Sequence, residues 1–192
     1  MKRFSILLLT LILSLMFEYE AASLDLARLM SNSKKGSLPA AASFEVAFSP
    51  SPAAEGAIIR FIGEARFSVH VAAYSFTSKE IAHALMAAAR RGVDVRVVAD
   101  KSNNSQRYTA VTYLANQGIP VRIDSKYAIQ HQKVTIVDGV AVQTGSYNYT
   151  ASARDRNSEN ILILRNVPDL AGQYESNWRK MWEESTPMPA RY

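Results

Sequence analysis

Strand signals alternating with helix signals along residues 43–183 predict a mixed α/β sandwich built on a largely buried sheet. Two observations carry this expectation. Runs rich in β-branched and aromatic residues (67–74, 93–99, 133–137) are separated by segments with helical apolar spacing. The chain has 192 residues, of which 48% are apolar. That is enough for one domain with a core of its own.

The elements follow in order. Residues 44–48 read as a strand stopped by Ser49-Pro50-Ser51-Pro52, and residues 54–65 as a helix with Ile58, Ile59 and Ile62 on its apolar side. A strand over 67–74 precedes Ser78, a good N-cap, and an alanine-rich helix over 79–91 that Gly92 ends. Residues 93–99 form a hydrophobic strand, 105–117 a helix stopped by Gly118, and 121–123 a short strand. Strands over 133–137 and 140–144 flank Asp138-Gly139, a strong hairpin signal. A strand over 161–164 and a helix over 168–183, with Leu170, Tyr174, Trp178 and Trp182 along one stripe, close the domain.

The first 22 residues read as a secretory signal. Lys2 and Arg3 precede an apolar run over 5–17, followed by small residues at Ala21, Ala22 and Ser23. Such a run is short for a membrane span, which needs about 20 residues. The mature protein is therefore expected to be exported, either periplasmic or secreted. Residues 23–42 read as a spacer of small and polar residues, and 43–192 as the functional domain.

Cysteine is absent, which excludes disulfides, thiolate nucleophiles and cysteine-based metal sites. His70, His83 and His131 are the three histidines. The net charge of +5 and pI near 9.5 suit an anionic partner such as nucleic acid or a lipid headgroup surface.

The chemistry concentrates in Gln130-His131-Gln132-Lys133 and in Gly145-Ser146-Tyr147-Asn148. A two-residue turn at Asp138-Gly139 would pair Val137 with Val140, Thr135 with Val142, Lys133 with Thr144 and His131 with Ser146. His131, Lys133, Ser146 and Asn148 would then share one face at the open end of the hairpin. An imidazole, an ammonium, a hydroxyl and an amide suit a tetrahedral oxyanion. Lys133 would neutralise charge, and Ser146 and Asn148 would donate hydrogen bonds. His131 would attack phosphorus or move a proton. Asp138 lies seven residues from His131, on the order of 20 Å along a strand. It is therefore expected to serve the turn. Glu159, in Asn157-Ser158-Glu159-Asn160, is the better candidate for the carboxylate that holds the far nitrogen of His131.

His131-x-Lys133-x4-Asp138-x6-Gly145-Ser146-x-Asn148 resembles the motif of the phospholipase D superfamily at every defining position. Val71-Ala72-Ala73-Tyr74-Ser75-Phe76-Thr77, Arg91-Gly92-Val93-Asp94-Val95, Asn116-Gln117-Gly118-Ile119-Pro120 and Asn157-Ser158-Glu159-Asn160 resemble its small bacterial exported nuclease branch. The likeness covers residues 43–183. It implies an α-β-α sandwich and phosphodiester hydrolysis through a covalent phosphohistidine, with no metal and no cofactor. It also implies a site at His131, Lys133, Ser146, Asn148 and Glu159. Such chemistry uses two histidines, and the chain holds a single motif copy. His70 and His83 stand in unmatched contexts and are expected to be structural. A homodimer with a shared active site resolves this. Nucleic acid, DNA or RNA, is the first expected substrate. A phosphatidylcholine-type phospholipid is the alternative, and a non-catalytic polyanion-binding protein is a rival of another class. The segment 101–107 reads equally as a phosphate contact and as a solvated loop.

Overall fold

The computed structural model describes residues 33–104 and 109–190, together with Met16. Apart from Met16, the predicted signal segment 1–22 lies outside the described residues, as do the first half of the spacer, 23–32, and the predicted helix start at 105–108. No helix among the described residues is long and apolar enough to cross a membrane.

Residues Leu38–Tyr192 form one compact unit. Its strands are β1 (Ser43–Ser49), β2 (Ser68–Ala73), β3 (Asp94–Asp100), β4 (Val121–Asp124), β5 (Lys133–Val137), β6 (Ala141–Gly145), β7 (Glu159–Arg165) and β8 (Thr186–Pro187). Its helices are α1 (Ala53–Gly63), α2 (Lys79–Arg90), α3 (Lys101–Asn104), α4 (Ala110–Asn116), α5 (Ala151–Asp155) and α6 (Pro168–Glu184). The sheet order is β1-β7-β6-β5-β2-β3-β4-β8. The β2–β3 and β3–β4 pairs are parallel and the other pairs antiparallel, so the sheet is mixed, as predicted.

Side chains alternate across the sheet and divide the core in two. Val69, Val71, Val97, Val137, Ile161 and Ile163 pack beneath α1, α2 and α4. Ala72, Val98, Val134, Ile136 and Val142 pack beneath α6 through Ala171, Trp178 and Met181. Trp178 also donates its indole N–H to the Val71 carbonyl at 2.9 Å. The result is an α-β-α sandwich whose central strand β5 is buried along its whole length.

The hairpin differs from expectation by one residue. Val137 pairs with Ala141, Ile136 with Val142 and Thr135 with Gln143. Asp138 and Gly139 both adopt positive φ, 54° and 65°. Val140 joins the turn, donating its N–H to the Val137 carbonyl at 3.1 Å, and its own carbonyl accepts from Val167. The loop is therefore three residues long. A one-residue slip exchanges faces along a strand. Thr144 accordingly joins the α6 face, and continuing the register sets Lys133 opposite Gly145. The helix expected over 105–117 is described only from Ala110. There the extended Thr109 caps it, its side chain accepting from the Thr112 N–H. The five-residue α5, capped in the same way by Thr150, carries too little periodicity to read in advance.

Candidate active site

His131 lies just before β5, and its neighbours hold it from both sides. Asp100, fully buried at the end of β3, accepts the Gln130 N–H at 2.7 Å and the Ser102 N–H at 2.8 Å. The buried Gln130 side chain accepts the Gln132 N–H at 2.8 Å. The Tyr74 N–H donates to the Gln132 carbonyl at 3.0 Å. The backbone on either side of His131 is thus tied to the ends of β2 and β3.

The His131 side chain itself is exposed and makes no hydrogen bond among the described residues. Its ring lies against Tyr74, with centroids 4.5 Å apart and planes tilted by 54°. Lys133 is 5% exposed. Its ammonium donates to the His131 carbonyl at 2.7 Å and sits 4.9 Å from the centre of the Tyr74 ring. Burial pushes the Lys133 ammonium below its ordinary pKa, and the negative charge of Glu159 partly opposes this. Tyr74 therefore contacts both reactive candidates at once. Sequence reading missed that role, although Val71-Ala72-Ala73-Tyr74 is a strand whose end must reach the same sheet edge.

Gly145 ends β6 and leads into the loop that carries Ser146 and Asn148. A side chain at Gly145 would place its Cβ 2.2 Å from the Asn160 carbonyl oxygen, so only glycine fits. That carbonyl accepts the Ser146 N–H at 3.1 Å. The Ser146 hydroxyl oxygen accepts the Asn160 backbone N–H at 3.1 Å and the Asn160 side-chain amide at 3.3 Å. Both contacts use lone pairs and leave the O–H free to donate. Asn148 keeps a buried Oδ1 with no partner among the described residues. Beneath these groups the fully buried Tyr149 hydroxyl contacts Thr135 and donates to Gln143, both at 2.7 Å, cross-linking β5 and β6. Burial pushes that hydroxyl well above its ordinary pKa and keeps it protonated.

The remaining candidates separate. Glu159 opens β7, accepts the Asn157 side-chain amide at 2.9 Å and makes no hydrogen bond to His131. Its described influence falls on Lys133 instead. Asp138 sits at the closed end of the hairpin. There its carboxylate accepts the backbone N–H groups of Arg66 (3.0 Å), Phe67 (2.7 Å) and Ser68 (2.8 Å). His70 is held by Glu175 at 2.9 Å and stacked on Trp178 with 4.2 Å between centroids. His83 lies on α2 with its ring edge-on to Tyr113. A cleft of about 410 Å³ opens beside His131, Lys133 and Gly145, and His131 is the one histidine lining it. Among the described residues no three His, Asp or Glu side chains gather into a metal-binding group.

Comparison with known proteins gives three findings. The family profile described as "Cardiolipin synthase, PLD-like domain" matches residues 58–182. Among curated proteins, a "Phospholipase D" of Rickettsia bellii is 39% identical over 117 residues, 61% of this chain and 58% of that protein. A "Mitochondrial cardiolipin hydrolase" of Xenopus laevis is 33% identical over 130 residues, 68% of this chain and 61% of that protein. The chain thus spans about three fifths of the length of these relatives. Among solved structures, the phospholipase D family member Nuc from Salmonella typhimurium superposes with a TM-score of 0.75 at 42% identity. The match covers 77% of this chain and 99% of that one.

Proposed function

Because the chain belongs to the phospholipase D superfamily of phosphodiesterases, we propose that it is a metal-independent phosphodiester hydrolase, acting first on nucleic acid. The observation that carries this reading is one juxtaposition. An exposed imidazole with no hydrogen bond among the described residues stands beside a buried ammonium, in a cleft that Gly145 of the same motif also lines.

In this reading a nitrogen of His131 attacks phosphorus, forming a P–N bond as the P–O bond to the leaving group breaks. A second imidazole protonates the departing oxygen, then takes a proton from the water that cleaves the P–N bond and restores His131. Lys133 neutralises the equatorial oxygens, while Ser146 and Asn148 donate hydrogen bonds to them. Glu159 supports the charge of Lys133. The second imidazole comes from a second copy of the chain, since His70 is engaged with Glu175 and Trp178 and His83 does not line the cleft. Export places this activity outside the cytoplasm.

Nucleic acid comes first because the chain is basic and its motifs resemble the small bacterial nuclease branch. A phospholipid is the second reading, favoured by relatives named phospholipase D and cardiolipin hydrolase. One experiment serves both: purified protein assayed on plasmid DNA and on phosphatidylcholine vesicles, in chelator, beside His131→Ala. DNA cleavage is expected to persist in chelator and to fall on the order of 10⁴-fold or more in the variant. Loss in chelator with rescue by magnesium would overturn the mechanism, and full activity in a monomer would overturn the shared site.

A further inference from the structure

The cleft beside His131 extends beyond the reactive groups, and its far part has a chemistry of its own. It runs beneath the first turns of α6, where Leu170, Gln173, Tyr174 and Asn177 face it. Their spacing of three, four and seven residues puts them on one side of the helix. Further along, the same helix buries Trp178 and Met181 in the core. Here, instead, the stripe overhangs open space. The opposite wall is formed by Gln132 and Thr144. Thr144 is there because of the three-residue hairpin loop, which turns it to the α6 face.

Four neutral polar side chains therefore ring an apolar floor. Gln132 accepts the Asn177 amide at 3.3 Å. That leaves the Gln132 Nε2 and the Asn177 Oδ1 unpaired among the described residues. Gln173 and Thr144 make no side-chain hydrogen bond among them either. Each amide offers both a donor and an acceptor. Among the described residues no carboxylate lines the recess, and Lys133, at the reactive end, is its one ammonium or guanidinium group. A choline or ethanolamine headgroup would call for a carboxylate or an aromatic cage. A flanking phosphate would call for lysine or arginine. Mixed donors and acceptors around an apolar, partly aromatic floor suit instead the edge and face of an unstacked nucleobase.

We propose that this recess is a nucleobase subsite. It receives the base next to the scissile phosphate and reads its edge through Gln132, Gln173 and Asn177. The inference rests on the nuclease reading above and adds to it a source of base preference.

The test compares single-stranded homopolymers of dA, dC, dG and dT with a base-free oligomer of tetrahydrofuran abasic sites. The proteins are the wild type, Gln173→Ala, Asn177→Ala and His131→Ala. In the two α6 variants, the ratio of kcat/KM on the preferred homopolymer to kcat/KM on the abasic oligomer should fall about 10-fold, and the order of preference among bases should change. An unchanged ratio with an unchanged order overturns the subsite. Failure of the wild type to cut any oligomer, or cutting by His131→Ala at the wild-type rate, sinks the nuclease reading itself. The two failures are thus separate.

Discussion

The two ends of the β5–β6 hairpin carry one motif and do opposite things with it. At the closed end, the Asp138 carboxylate accepts three backbone N–H groups at 2.7–3.0 Å and ties the turn to the start of β2. At the open end, among the described residues, His131 has an exposed ring with no hydrogen bond, Lys133 is a buried ammonium held by one backbone carbonyl, and Asn148 keeps a buried oxygen with no partner. Satisfied polar groups stabilise a fold. Polar groups left short of partners are available for something else, and buried groups left so are rare enough to ask why. On the reading proposed above, the aspartate of the motif serves folding and the histidine and lysine serve chemistry.

The sharpest way to break this comparison is to remove one group from each end. Lys133→Met deletes the buried charge and keeps the bulk. It should lower the rate of phosphodiester cleavage about 10³-fold. The melting temperature should hold or rise, because a desolvated ammonium no longer has to be buried. Asp138→Ala should do the reverse. Losing a charged acceptor for three N–H groups costs about 2–3 kcal/mol, which corresponds to a fall in Tm of about 5–10 °C for a domain of this size. Activity per folded molecule should stay within about 2-fold. Calorimetry and initial rates on the same preparations check both. A large rate loss in Asp138→Ala without a thermal shift would erase the division of labour.

Most of the sandwich was legible because alternation and helical spacing are local signals. Strand β5 occupies the predicted residues, and α1, α2 and α6 differ from prediction by a residue or two at their ends. The hairpin register was not legible. It turns on the Val140 carbonyl being taken by Val167, and that contact joins residues distant in sequence. The motif placed His131 and Lys133 in one cleft. It gave no hint that Tyr74 packs against both or that Asp100 anchors Gln130, since those groups arrive from β2 and β3. Gly145 is instructive in another way. The pattern marked it, but only the approach of the Asn160 carbonyl explains why no other residue fits.

Glu159 offers the smallest and most discriminating change. Read from sequence, it would orient His131. In the structure it makes no hydrogen bond to that ring, and its negative charge acts on Lys133, where burial drives the ammonium pKa down and the carboxylate holds it up. Glu159→Gln removes the opposing charge and leaves burial unchecked, so Lys133 should lose its proton at a lower pH than in the wild type. If the protonated lysine is the form that stabilises the equatorial oxygens, the alkaline limb of the pH–rate profile must move to lower pH. The acid limb should stay in place. At neutral pH the rate should change by no more than about 5-fold, in keeping with a partly solvated charge pair. A profile whose acid limb moves while its alkaline limb stays would instead make Glu159 the partner of His131. The open end of the hairpin would then be organised around the imidazole rather than the ammonium.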